Sequence, residues 1–289
     1  MVVNKLPLVS IVIPCYNAEK TIHETLNSVL LQTYNNIEII VVDDGSTDGS
    51  LKAIDSFLAG QLKVRIITQH NCGQSKARNN GMYACDGEYV MFLDADDMLA
   101  PAYVSECVDV FQSFPETLLV YSDVQLFERE TGKLHLDTFI LRQFLLRNCI
   151  PSFCMLRTEQ IKEAGGFDET MRNNEDWECW IRIIARFRGS VVKIPKALYF
   201  YRKRLSADSV TDLSNFRNEV DQVFFYIYSK NYSFYQQNNL SISDLVAFAF
   251  DRAAWKRRYY NVWYRRIFYM VFKRSKYRAL SNKNTLFFE

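Results

Sequence analysis

The 289-residue sequence has no apolar run approaching the ~18 residues that a membrane-spanning helix needs, so no transmembrane segment is expected. It has no Cys-x-x-Cys pair, and its seven cysteines are odd in number and irregular in spacing. That argues against a disulfide framework or a cysteine-based zinc site, and for a reducing compartment. Asn4, Lys5 and Pro7 interrupt the N-terminus and no small-residue cleavage site follows, so no secretory leader is expected and the cytoplasm is the expected location. Acids are missing from one stretch: between Arg252 and Arg278 there are ten Lys or Arg and no Asp or Glu. Residues 201–289 hold 16 basic against 7 acidic residues, and residues 1–200 hold 19 against 26. The chain is thus an acidic body with a basic tail, whose expected partner is an anionic membrane surface rather than nucleic acid.

What is present is ample for a core, with 48% hydrophobic and 15% aromatic residues. Leu8–Pro14, Ile37–Val42, Val64–Thr68 and Glu88–Leu93 read as strands, and helix-period segments at Glu19–Leu31, Ile54–Leu58 and Ser75–Ala84 separate them. This β-α-β-α-β-α-β alternation predicts an α/β fold with a parallel sheet. A helix after Pro101, a strand at Leu118–Ser122, a hairpin near Thr131-Gly132, a helix at Thr158–Ala164, a helix carrying Trp177 and Trp180, and strands at Val191–Ile194 and Leu198–Tyr201 complete a domain of residues 1–210. Residues 211–289 read as a helical extension, with helices at 214–231 and 243–273 divided by Gln236-Gln237-Asn238-Asn239. In the second helix Trp255, Tyr259, Val262, Trp263, Ile267, Met270 and Val271 share one face and Arg257, Arg258 and Arg265 lie off it, the pattern of a helix lying in a membrane interface. The same pattern also suits an apolar face packed on the first domain.

The fourth strand ends in Asp94-Ala95-Asp96-Asp97, three carboxylates within four residues at the carboxyl edge of the sheet. Ligands bind at that edge in open α/β sheets. Carboxylates so close repel one another, and a hard divalent cation such as Mn²⁺ or Mg²⁺ carrying a diphosphate would hold them together. The alternative is that they cap the helix after Pro101.

Several motifs arrive in one order over the first 200 residues: Val9-Ser10-Ile11-Val12-Ile13-Pro14-Cys15-Tyr16-Asn17 with Glu19, then Ile39-Ile40-Val41-Val42-Asp43-Asp44-Gly45-Ser46-Thr47-Asp48. Asn71, Gly73, Ala77-Arg78-Asn79, Gly81, Asp94-Ala95-Asp96-Asp97, Gly165-Gly166-Phe167-Asp168-Glu169 and Glu175-Asp176-Trp177 follow. In these the chain resembles a family 2 glycosyltransferase with the GT-A, Rossmann-like fold, of the bacterial surface-polysaccharide type. The resemblance implies a nucleotide-sugar donor, a glycan or lipid-linked glycan acceptor, and a donor crevice formed by Pro14, Tyr16, Asn17, Glu19, Asp44, Gly73, Lys76, Arg78, Asp94, Ala95 and Asp96. Tyr16 is placed to stack on the base and Asp44 to accept an imide N–H. Arg78 outranks Lys76 as a group facing the nucleotide, Asp94 lies nearer the ribose, and Asp96 is the metal ligand. Asp48 reads rather as a turn or cap residue.

Inverting displacement of a diphosphate needs one carboxylate to take the acceptor proton, and the resemblance assigns that role to Asp176. An Asp before an amphipathic helix is also an ordinary N-cap. Two departures stand out. Similar enzymes often carry His two residues after Tyr-Arg, whereas Tyr201-Arg202-Lys203-Arg204 puts Arg204 there, a group that can neutralise diphosphate but cannot ligate metal. The Gln-x-x-Arg-Trp signature of processive synthases is absent, so transfer of a single sugar is expected. A sugar-phosphate nucleotidyltransferase would open with a glycine-rich loop where Cys15-Tyr16-Asn17 stands, and a catalytically silent nucleotide-sugar binder or scaffold is the other alternative.

Overall fold

The computed structural model describes residues 6–58, 64–205, 216–255 and 263–272, in two compact units, residues 1–205 and 206–289. The first opens with β1 (Val9–Cys15), α1 (Ile22–Leu30), β2 (Ile37–Asp43), α2 (Ser50–Leu58), β3 (Val64–Thr68), α3 (Gln74–Tyr83) and β4 (Tyr89–Phe92). It continues with β5 (Met98–Leu99), α4 (Tyr103–Ser113), β6 (Thr117–Glu128), β7 (Gly132–Leu134), α5 (Leu141–Leu146), β8 (Met155–Arg157), α6 (Thr158–Glu163), α7 (Glu175–Phe187) and β9 (Ser190–Lys203). All nine strands join one sheet in the order β3-β2-β1-β4-β8-β6-β9-β5, with β7 on β6.

Every residue of β1 and β4 is buried, as continuous apolar strands covered on both faces must be; β1 pairs in parallel with β4 and β2, and β2 in parallel with β3. The edge strand β3 is less apolar and carries Arg65, which binds Glu38 at 2.6 Å. Beyond β4 the sheet is mixed: β8 runs antiparallel to both β4 and β6, and β6 pairs in parallel with β9. The two late strands expected at 191–194 and 198–201 are one strand. Its register against β6 jumps from Ser122↔Ile194 to Asp123↔Ala197, leaving Pro195 and Lys196 in a bulge, where a residue without an N–H costs the ladder nothing. The hairpin near Thr131-Gly132 is the β6–β7 turn.

The second unit contains α8 (Phe216–Lys230), α9 (Tyr232–Gln237), α10 (Ile242–Trp255) and α11 (Trp263–Phe272). Ile227, Tyr228, Tyr235, Leu240 and Leu245 form its buried centre, with the Tyr228 and Tyr235 rings edge-on at 5.0 Å. The polar break falls at Asn238-Asn239, two residues later than its start in the sequence suggested, because α9 carries through Gln237. On α11, Ile267, Phe268, Met270, Val271 and Phe272 are all exposed. Arg257, Arg258, Tyr259 and Val262 lie outside the described residues, as do the side chains of Trp255, Trp263 and Arg265. No described helix is long and apolar enough to cross a membrane.

Candidate active site

The parallel strands β1, β2 and β4 deliver Tyr16, Asp44 and Asp94 to one edge of the sheet. Tyr16 follows the buried Pro14-Cys15 and is 49% exposed, so its ring is available at that edge. Asp44 is buried and fully engaged in shaping the crevice: it accepts the backbone N–H groups of Cys72 (2.8 Å) and Gly73 (2.9 Å) and the Gln69 amide (2.7 Å). Those bonds fix the turn that opens α3, where Gly73 has φ +90°, a conformation costly to any side chain.

Asn17 and Glu19 join the loops after β1 and β2. The Asn17 amide oxygen accepts Thr47 N–H at 2.8 Å and the Glu19 carboxylate accepts Gly49 N–H at 3.1 Å. Both side chains thus tie the loop after β1 to the loop after β2 while remaining exposed. Asp48 accepts the Ser50 N–H at the start of α2, in keeping with its reading as a cap. Ala95 anchors the next loop, its carbonyl accepting the hydroxyls of Thr21 (2.9 Å) and Thr25 (3.0 Å).

The three acids after β4 divide. Asp94 accepts Gln74 and Arg78, each at 3.0 Å and both on Oδ1. Asp96 accepts Arg204 Nε on Oδ2 at 2.7 Å, while Arg202 Nε holds the Asp96 carbonyl, also at 2.7 Å. Burial, then the Asp94 charge, raises the Asp96 pKa against the opposing pull of Arg204. Asp97 turns inward, accepting the Tyr199 hydroxyl (2.7 Å) and the Arg202 N–H (2.8 Å). Burial, then Asp96 and Asp94, pushes its carboxyl well above the ordinary range. With Asp97 turned inward onto Tyr199 and Arg202, only Asp94 and Asp96 of the three acids are left toward the sheet edge. None of the three caps α4, whose N-cap is Ala102.

Arg78 is the largest departure from the sequence reading. Its guanidinium is 2% exposed and bridges Asp94 (3.0 Å) to Glu175 (2.7 Å) over the Phe167 ring at 5.5 Å, so two acids hold it in place beneath the sheet edge. Burial alone would lower its pKa, but the two carboxylates outweigh it and the shift is upward. Lys76 pairs with Glu169 at 3.1 Å near the surface. Asn79 ties α3 to the Gly165–Glu169 turn, donating to the Phe167 carbonyl and accepting its N–H, both at 2.8 Å. A Cβ on Gly166 would stand 2.4 Å from that Asn79 oxygen.

Asp176 lies in the first turn of α7, whose N-cap is Asn174, so it is not the cap the sequence also allowed. Its carboxylate accepts Trp177 N–H (2.7 Å) and the Asn148 amide (3.3 Å). Burial first and the adjacent Glu175 second push its pKa up to about 7. A carboxyl so poised can take a proton near neutrality.

Gln74, Asn148 and Tyr199 also shape the site without standing out in the sequence, because each acts by a bond to a residue distant in the chain; Glu175 is visible there only as part of a motif, without its Arg78 partner. Asp123 on β6 likewise accepts His135 (2.8 Å), Lys193 (2.6 Å) and the Leu136 N–H, pinning the start of the segment that ends at Asn148.

Among the described residues no group of three or more acids, imidazoles or thiols converges as a metal cage. A hard cation bound through one or two carboxylates and completed by substrate phosphates and water needs none. Asp94 and Asp96, two oxygen donors close enough for one to raise the pKa of the other, fit that arrangement.

The family model for glycosyl transferase family 2 matches residues 10–165. Chondroitin synthase from Escherichia coli is 33% identical over 184 residues, covering 62% of this chain and 27% of that protein. Several relatives are longer in this way, the chain spanning 27–37% of their length. Glycosyltransferase GlyG from Streptococcus pneumoniae is 27% identical over 277 residues, covering 88% of this chain and 86% of its own. Among solved structures, S. aureus TarS 1-349 in complex with UDP-GlcNAc superposes with a TM-score of 0.64 at 21% identity, over 76% of this chain and 64% of that one. The sheet and its flanking helices are thus of the GT-A type. With more than half of its length under the family model, the chain belongs to glycosyl transferase family 2.

Proposed function

We propose that the protein is an inverting, metal-dependent transferase. It moves a single hexosyl or N-acetylhexosaminyl unit from a nucleotide-sugar, UDP-linked, to a hydroxyl of a glycan or lipid-linked glycan in surface-polysaccharide assembly (O-antigen, capsule or lipooligosaccharide). The observation that carries this reading is the buried Arg78 bridge, which couples the donor-side Asp94 at the end of β4 to Glu175, the neighbour of Asp176 on α7. Tyr16 stacks on the base, and the loop held by Asp44 and Gly73 shapes the nucleotide pocket. Asp96 is the residue that would hold Mn²⁺ or Mg²⁺, with Asp94 toward the ribose. A divalent ion there supplies charge neutralisation for the departing diphosphate. Arg204 adds cationic charge beside it, and Asp176 removes the acceptor proton. UDP is favoured because the neighbour TarS binds UDP-GlcNAc, and a glycan acceptor because relatives include a chondroitin synthase.

Calorimetric titration with UDP, GDP, dTDP and CDP, each with Mn²⁺ and with EDTA, tests the donor site. UDP is expected to bind only with metal, and Asp96→Ala to weaken it at least about tenfold, since the ion that would bridge to the diphosphate depends on that carboxylate. Equal binding in EDTA, or by the variant, would remove Asp96 from the role. The contact of Arg204 with Asp96 also suits a silent nucleotide-sugar binder, which metal-dependent hydrolysis of a UDP-sugar would exclude.

Peripheral attachment to the inner face of the cytoplasmic membrane is the reading that the exposed apolar residues and basic sequence of the second unit support. Exposed Phe268 and Phe272 on α11, their rings 5.1 Å apart, lie within the stretch that is free of acids. Flotation with liposomes containing anionic lipid is expected to recover the wild type and to lose most of the Phe268→Glu/Phe272→Glu double variant, because two aromatic anchors are replaced by charges the surface repels. Equal flotation of both would rule out α11 as the anchor.

A further inference from the structure

Two arginines, two residues apart, treat Asp96 differently. Arg202, its side chain 9% exposed, fixes the loop from below: its N–H binds Asp97, its Nε the Asp96 carbonyl, and its far nitrogen Glu24. Arg204, one residue past the end of β9 and 39% exposed, binds the Asp96 carboxylate itself at 2.7 Å. The first contact is built into the frame; the second comes from a half-exposed side chain and occupies one of the two oxygens that a cation would use.

We infer that Arg204 and a divalent cation are alternative partners of Asp96, so that the metal enters together with a nucleotide diphosphate rather than before it. The inference rests on the donor site proposed above. A guanidinium has no lone pair to offer a metal, and a fixed positive charge within a few ångströms of a dication repels it. While Arg204 holds Oδ2, its charge weakens the hold of the carboxylate on an ion, and Asp96 reaches its full affinity for metal only once Arg204 has let go. A diphosphate gives it a substitute anion that its planar fork can grip at two points. With no nucleotide present, Arg204 neutralises Asp96 and holds off free metal. With nucleotide present, the same side chain moves to the phosphates and the carboxylate is released. Metal and nucleotide then favour each other's binding by one common factor, as linkage requires. The imidazole that similar enzymes often carry at this position could join the metal shell; the Arg of this chain makes the site wait for its substrate.

The test is titration of the full-length protein with Mn²⁺, read by the electron paramagnetic resonance signal of the free ion, with and without UDP. Wild type is expected to bind Mn²⁺ weakly alone and more tightly with UDP. Arg204→Gln is expected to tighten Mn²⁺ binding in the absence of UDP by on the order of tenfold, the scale for removing a partly screened like charge. The same variant is expected to bind UDP less tightly and to lose most of the mutual enhancement. Arg204→Lys, which keeps the charge, is expected to stay near wild type in the metal-only arm. If Arg204→Gln leaves metal-only affinity within about twofold of wild type, or leaves the enhancement by UDP intact, the exchange is overturned while the donor site stands. If wild type gains no Mn²⁺ affinity from UDP and Asp96→Asn behaves identically, the donor-site reading fails and the inference with it.

Discussion

Asp176→Asn is expected to lower kcat for sugar transfer by about 10²- to 10⁴-fold, the usual contribution of a general base, while UDP affinity stays within about twofold of wild type. The amide occupies the same volume and its oxygen can still accept the Trp177 N–H, so the first turn of α7 keeps its geometry while the long 3.3 Å bond from the Asn148 amide is given up. What it cannot do is accept a proton. The pH profile separates this role from a structural one. With the Asp176 pKa raised to about 7, the group is largely protonated below that pH and ionised above it, so kcat/KM for the acceptor is expected to climb to a plateau as pH rises through about 7. The variant is expected to retain a low rate without that limb. Full turnover by a folded Asp176→Asn protein would transfer the role to another group.

The part of the fold that the sequence displays most openly is the part whose signals are local. Strands β1, β2 and β4 are continuous apolar runs, and each ends in a short polar loop, so both the sheet and its functional edge can be placed from consecutive residues. The β6–β9 pairing is not local: it joins residues 117–128 to 190–203, and nothing in either segment names its partner. Side-chain direction within loops is equally hidden. Asp96 and Asp97 are neighbours of one type, yet the first faces Arg204 and the second is sealed under Tyr199, because the turn after β4 has no fixed period to assign them. The engagement of Arg78 with two acids is hidden for a related reason. The buried face of α3 includes Ser75, Arg78 and Asn79, so its polarity imitates a solvated helix and conceals the fact that its charged residue points inward.

That inward charge is the most sensitive point of the first unit, and Arg78→Met is expected to cost about 3–5 kcal/mol, the range for breaking a buried ion pair by removing one partner. The loss exceeds that of a surface pair because Glu175 is left nearly buried beside Asp176, without the cation that balances both. Methionine fills most of the space against Phe167, so the loss reports the charge rather than a cavity. Two further variants separate the terms. Arg78→Lys keeps the charge but, as a compact ammonium, cannot span Asp94 and Glu175 in the same way, and an intermediate loss is expected. Arg78→Met/Glu175→Gln removes the stranded charge and is expected to recover part of the stability, though not UDP binding, because Asp94 stays unanchored. Hydrogen exchange of the β1 and β4 amides reads the effect within the first unit alone, free of any contribution from unfolding of the helical unit. Exchange rates in Arg78→Met equal to wild type would mean that the bridge orients Asp94 without stabilising the sheet. A double variant no more stable than Arg78→Met would mean that the cost lies in lost packing and not in an uncompensated carboxylate.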